Sequence, residues 1–265
     1  MPDLNAALLR QVAPQVPGAK ANAQAAILAA VGPVLGATLA GYGIDPPSRA
    51  AHFLAQTCHE SDQFCTTVEY GDAAYFAQHY DGRADLGNNQ PGDGARFCGR
   101  GLIQITGRAN YAAMGAALGL DLLDNPAQAA DPAISLRIAC EFWKSRALND
   151  FADQDDALAV TWRVNGGFNG LADRQAALAR AKAALGTTGA PPAAPRPTLQ
   201  QNNKGGSVAS LQYLLRQAGC LPAGSAIDGD FGPGTDAAVR AFQRQHGLTA
   251  DGVVGPGTWQ ALLGG

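Results

Sequence analysis

The sequence predicts a mainly α-helical protein of two unequal domains with one small β element. Three observations carry this. Apolar residues recur at helical spacing along most of the chain. A Pro- and Gly-rich stretch, residues 186–207, interrupts that periodicity. Beyond it, an eight-residue turn sequence occurs twice. The chain has 265 residues, 46% of them hydrophobic and 15% charged. That length suits one large domain or two unequal ones. The net charge of −3 supplies no basic field to hold nucleic acid or anionic lipid.

Taken in order, residues 1–18 lack a basic segment followed by an apolar core, so no secretory signal is expected. The most apolar run, AAILAAVGPVLGATLAGYGI (residues 25–44), is interrupted by Gly32-Pro33 and reads as a pair of buried helices rather than a membrane span. Pro47 and Ser48 open a helix that carries RAAHFLAQTCHE up to Glu60. Between Tyr70 and Arg100 the helical pattern fails, and YDGRADLGNNQPGDGARF (80–97) reads as a long loop. Such loops are uncommon inside compact domains and are often functional. FCGRGLIQITGRANY (97–111) reads as an apolar strand turning into a helix near Arg108, with Thr106 available as its N-cap. Asp131-Pro132 places a cap before a first-turn proline, followed by an apolar face of Ile134, Ile138 and Phe142. DALAVTWRVNGG ends in a glycine pair suited to a C-cap, and LADRQAALARAKAALG forms a further amphipathic helix.

These boundaries give a large domain over 1–186, a semi-extended linker over 187–206 and a small domain over 207–265. In the small domain DGDFGPGT (228–235) returns as DGVVGPGT (251–258). Each sets a tight turn whose closing threonine can cap a helix. With Ser207 as a cap for the helix ahead of them, three short helices joined by two similar turns are expected.

The chemistry narrows by elimination. His59-Glu60 begins an HExxH zinc motif, but the second histidine is replaced by Gln63, and His52 and His59 lack a matching third ligand. No nucleophile elbow or phosphate loop occurs. Cys58, Cys65, Cys98, Cys140 and Cys220 contain no CxxC pair and read as buried free thiols, although Cys58 and Cys65 could pair after export. No metal or cofactor is expected. Glu60, at the end of an apolar helix, and Glu69, on the following segment, could serve glycoside hydrolysis. That reaction needs one carboxyl protonated and one ionised. The face of Phe53, Leu54 and Phe64 would favour the uncharged form of Glu60. The bland alternative is a pair of solvated surface charges.

Across several separated blocks the sequence resembles the family 19 glycoside hydrolases, and most nearly their phage and bacterial cell-wall lysins. The blocks are AHFLAQTCHESDQF, the loop with FCGRGLIQITGRANY, VNGG and GLADR, together spanning residues 1–186. The resemblance implies a lysozyme-like helical fold and a set of roles. Glu60 takes the place of the general acid and Glu69 that of the general base, with Thr106 helping the base hold the attacking water. Gln104, Asn110, Tyr111 and Asn165 fall where the family binds sugar. Arg174 falls on the arginine that pairs with the catalytic carboxylates, where it is expected to favour ionised Glu69. Ordinary alternatives stay open for Asn165, as a helix-ending residue, and for Arg174, as a solvated charge. The block around Glu69 departs most from the family pattern, and Asp62 and Asp72 are the nearest competitors for the base.

The tail, DGDFGPGTDAAVRAFQRQHGLTADGVVGPGT, resembles the three-helix peptidoglycan-binding domains, which implies wall contacts through Asp228, Phe231 and Asp251. The combination implies an inverting, muramidase-type endolysin that cuts β-1,4 bonds of the cell wall. Its expected partner is peptidoglycan, both glycan strands and stem peptide, with no nucleic acid, no membrane insertion and a monomeric state. Synthesis in the host bacterial cytoplasm without a signal peptide, then release to the wall, is the expected route. The rivals are a chitinase of the same fold, a lytic transglycosylase, a secreted antibacterial effector and a wall-binding protein with an inactive catalytic domain.

Overall fold

The computed structural model describes residues 3–264. It is mostly helical, with the β element reduced to isolated bridges among the described residues. The chain divides into two compact units, one of residues Met1–Asn149 and Ala172–Gly189, the other of Asp150–Leu171 and Ala190–Gly265.

The first unit is built around α1 (Ala6–Val12), α2 (Lys20–Gly41), α3 (Pro47–Glu60), α4 (Ala73–Tyr80), the short α5 (Asp93–Arg96), α6 (Arg108–Leu118) and α7 (Pro132–Ser145). The run expected as two helices is the single helix α2, which passes through Pro33. Proline removes one hydrogen bond. The stripe Gln24, Ile27, Leu28, Val31, Leu35 and Leu39 nevertheless buries one continuous face spanning both halves. A Cβ on Gly32 would lie within 3 Å of Ala6 atoms, so this glycine admits α1 instead of ending the helix. By length and composition α2 could cross a membrane, but here its apolar stripe packs on α1 and α7. Asp131 caps α7 as expected, its Oδ1 accepting from the N–H groups of Ala133 and Ile134 at 3.0 and 2.9 Å. Phe53 meets Trp143 edge-on at 5.5 Å in the core between α3 and α7.

The loop expected over residues 70–100 contains helix α4, capped by Asp72, and is itself pinned. Asn88, fully buried, donates to the Tyr80 carbonyl and accepts from the Arg108 N–H that opens α6. Asp93, 2% exposed, takes two bonds from the Arg108 guanidinium. That guanidinium holds the carboxyl below the usual aspartate range. The N-cap of α6 is therefore not Thr106 but Gly107, at φ +93°, with Asn88 serving the first turn from outside.

The second unit joins the end of α8 (Leu148–Asp153) and α9 (Ala157–Asn165) to α11 (Gly206–Gln217), α12 (Pro233–Gln245) and α13 (Pro256–Leu263); α10 (Leu171–Leu185) lies almost entirely in the first unit. Residues 150–171, expected with the large domain, cluster with the tail because their aromatic side chains pack there. Phe168 meets Tyr213 at 4.7 Å, and Trp162 lies against Gly229. The expected linker is likewise only partly a tether. Leu199 is buried in the tail core and bridges Val254, and the Pro197 carbonyl accepts from Trp259. A buried ionic knot ties the segments together. Fully buried Asp156 accepts from Arg196 at 2.5 Å and from Ser210 at 2.9 Å.

The repeated turns share one plan. Gln212 donates to the Asp228 carboxylate, the Asp230 carbonyl and Thr235, and accepts from the Gly229 N–H. Gln243 does the same with Asp251, Val253, Thr258 and Gly252. Thr235 and Thr258 thus serve these glutamine knots, while Gly232 and Gly255 occupy the N-cap positions. Ser207 is not a cap either, since α11 starts at Gly206 after Gly205.

The polar knots of this unit make its stability testable. Substituting Arg196→Met takes the guanidinium away from a buried carboxylate, and urea denaturation of the full chain should show a loss of about 3–5 kcal/mol. Asp228 is lowered mainly by its Gln212 bond, and Asp251 mainly by the Val253 N–H. Their stabilising contribution is full above the ordinary aspartate range and is lost as pH falls through the lower folded values. Hydrogen-exchange protection factors of residues 228–254 in the full chain, corrected for the intrinsic pH dependence of amide exchange, should fall on acidification, with a weaker pH dependence in an Asp228→Asn/Asp251→Asn variant.

Candidate active site

The sequence His59-Glu60-Ser61 divides three tasks at the end of α3. His59 Nδ1 lies 2.6 Å from Asp173 Oδ2. Glu60, 18% exposed, receives Arg174 Nη2 on Oε1 at 2.5 Å. Ser61, fully buried, donates to the Thr57 carbonyl and accepts from the Phe64 N–H. The chain then makes a left-handed turn through Asp62, Gln63 and Phe64, with φ values of +51°, +60° and +61°. Such conformations are unfavourable for residues other than glycine. Ser61 holds the turn from within, Gln24 binds the Gln63 carbonyl, and Lys20 binds Asp62 at 2.5 Å.

Arg174 is 2% exposed and also donates to Gln56, one helical turn before Glu60. This corrects the expectation that it acts on Glu69. It corrects equally the picture of an apolar surround for Glu60: Phe53, Leu54 and Phe64 are buried, yet the carboxylate itself meets a guanidinium. Nor is Arg174 a solvated charge.

Glu69 is held from both sides. Oε1 accepts from the Tyr80 hydroxyl at 2.6 Å and Oε2 from the Gly99 N–H at 2.9 Å, while its own N–H donates to the Gly99 carbonyl. Burial and the Glu69 carboxylate push the Tyr80 phenol well above the usual tyrosine range, so it remains a donor. A Cβ on Gly99 would fall about 3 Å from both Glu69 Oε2 and Gln104 Oε1. The missing side chain is therefore what lets these two residues share one side of the 97–107 turn. That turn was expected as a strand, but it contains only the bridges Val68–Arg100 and Arg100–Ile105. Gln104, at φ +53°, closes it by donating to the Gly101 carbonyl, and Thr106 donates to the Gln104 carbonyl.

Three of the expected sugar contacts separate here. Asn110 is exposed and donates back to the Thr106 carbonyl. Tyr111 is fully buried, its hydroxyl donating to the Cys98 carbonyl and accepting from Arg100. It supports the turn from beneath and cannot touch a substrate. Asn165 is exposed at the last position of α9, in the second unit. In the tail, Phe231 is core and fully buried, which removes it as a wall contact, whereas Asp228 and Asp251 are exposed and each also accepts from a knot glutamine. The five cysteines are free, and burial pushes the Cys58 thiol up to about 12. Sequence reasoning missed Tyr80 and Gly99. Nothing local marks Tyr80, whereas Gly99 stands in the stretch FCGRGLIQITGRANY already singled out.

Two carboxylates on successive segments, one against a guanidinium and one cradled by a phenol and a backbone N–H, are groups that glycoside hydrolysis can use. Comparison with known proteins agrees. Residues 8–168 match the class I chitinase family of glycoside hydrolase family 19, and residues 204–262 match the peptidoglycan binding domain family. A glycosyl hydrolase family 19 domain-containing protein of Haemophilus influenzae is 40% identical over 151 residues, covering 47% of this chain and 74% of that protein. An endochitinase of Arabidopsis thaliana is 36% identical over 118 residues, 44% of this chain but only 39% of its own length. A zinc D-Ala-D-Ala carboxypeptidase of Streptomyces albus G is 46% identical over 67 residues, 24% of this chain and 26% of that one. Chitinase C of Streptomyces griseus shares the fold with a TM-score of 0.51 at 24% identity, over 69% of this chain and 77% of that chain. The chain belongs to glycoside hydrolase family 19 and carries a peptidoglycan-binding domain.

Removing either hold on Glu69 should cost turnover. Tyr80→Phe deletes a hydrogen bond to a charged group, and about a 10- to 100-fold fall in kcat is expected. Gly99→Ala drives a methyl between Glu69 and Gln104 and should cost about 100-fold. Both are read by the release of reducing ends from soluble glycan.

Proposed function

We propose that the protein is a peptidoglycan hydrolase of the endolysin type, cleaving β-1,4 bonds of the wall glycan with inversion. The observation that carries this reading is the presence, in one chain, of a family 19 hydrolase and a peptidoglycan-binding domain. Glu60 is the general acid. Arg174 occupies Oε1, so Oε2 is the oxygen that carries the proton to the leaving group. Glu69 is the general base. Tyr80 and Gly99 fix its carboxylate so that one lone pair faces an attacking water, which Thr106 helps to hold. Inversion needs the two carboxyls far enough apart to admit that water. Gln104 and Asn110 contact the sugars. The tail module concentrates the enzyme on the wall, because tethering makes the second contact intramolecular. The protein acts on the wall after synthesis in the cytoplasm.

The likeness to plant endochitinases favours a second reading, hydrolysis of chitin. Turnover of purified peptidoglycan and of chitin by the same preparation separates the two. The test of the mechanism is Glu60→Gln, which should lower hydrolysis of purified wall by about 100-fold or more. Mass analysis of fragments from the native enzyme should show a hydrated sugar end. An anhydro end would indicate a lytic transglycosylase, and undiminished lysis by the variant would falsify the assignment of Glu60.

A further inference from the structure

Five large apolar side chains are exposed among the described residues, and three of them, Val68, Tyr70 and Tyr75, lie within six residues of Glu69 in the chain. A single exposed apolar residue means little, but a cluster beside a functional group marks a contact surface. Tyr70, the residue next to Glu69, is the most exposed at 60%.

Its position is fixed even so. The hydroxyl donates to Asp62 Oδ2 at 2.9 Å, and Asp62 is in turn held by Lys20. The Lys20 ammonium sits over the ring, 5.4 Å from its centroid. One face of the phenol is thus under a cation and its edge is tied to the left-handed turn just after Glu60. Asp62 also links the segment after Glu60 to the segment after Glu69, so the ring keeps a set relation to both carboxylate-bearing stretches. Tyr75 extends the apolar surface, held against His79 with the ring centroids 4.1 Å apart.

We propose that Tyr70 is the sugar platform of the subsite next to Glu69, stacking its open face on the C–H face of a pyranose ring in a β-1,4-linked N-acetylhexosamine strand. A ring's negative face attracts the weakly positive C–H edge of a partner. A ring already tied by its hydroxyl gives up little freedom on binding, so the contact is preorganised. The occupant is a sugar of the substrate strand because Tyr70 directly follows, in the chain, the carboxylate that the proposed mechanism uses, and is tied through Asp62 to the turn after Glu60. The inference rests on that reading of Glu69.

The experiment measures reducing ends released from soluble, peptide-free glycan strands prepared from purified peptidoglycan. Tyr70→Ala should raise KM about five- to tenfold and leave kcat within about twofold. Tyr70→Trp should keep KM near the native value, and Tyr70→Phe, which keeps the ring and loses the Asp62 bond, should fall between. A KM for Tyr70→Ala within about twofold of native overturns the platform. So does a Tyr70→Phe variant as impaired as Tyr70→Ala, which would make the hydroxyl bond the active feature. Thermal melting of each variant identifies a folding defect, and Tyr70→Trp then decides, since a ring-dependent KM cannot come from lost stability alone. The failure of the underlying reading looks different: Glu69→Gln would retain its turnover, or the native enzyme would release no ends from these strands.

Discussion

A buried guanidinium is the constraint around which the candidate site is organised. Arg174 has almost no contact with solvent, and a charge so placed requires partners. It finds them on α3, where Gln56 and Glu60 are one turn apart and present their oxygens on one face. The bond joins residues 114 apart in sequence, so the end of α3 and the start of α10 must arrive together. Its neighbour Asp173 repeats the link through His59. An exposed pair of this kind would count for little, whereas removing one partner of a buried pair is costly.

The turn directly after Glu60 is shaped by the same need for compensation. Three successive non-glycine residues in left-handed conformation are tolerated because Ser61, Gln24 and Lys20 each satisfy a group that the turn exposes. The turn ends the helix abruptly and returns the chain toward Glu69. There the restraint is of another kind, a backbone N–H and a phenol on the two oxygens of one carboxylate. One glutamate is oriented by charge and the other by neutral donors.

The second unit shows how a repeat is built without a large core. Each buried glutamine closes its own turn through one amide, donating to a side chain, a carbonyl and a threonine while accepting one N–H. Polar knots of this kind are worth keeping only when every member is satisfied. The aspartates that stand out in the repeated motif each take one of these bonds while staying exposed.

The sequence by itself determined the helical class, the helix that ends at Glu60, the Asp131 cap and the repeated turns, because these depend on residues close together in the chain. Periodicity, capping and turn chemistry are local. Tertiary structure alone decided that α2 runs through Pro33, that Tyr111 and Phe231 are core, that residues 150–171 pack with the tail, and that Arg174 meets Glu60. It also brought Tyr80 and Gly99 to Glu69. Each of these depends on which distant surface covers a residue. A proline is carried when one buried stripe spans it, and an aromatic or an arginine reads the same in sequence whether it faces water or a partner contributed by a remote helix.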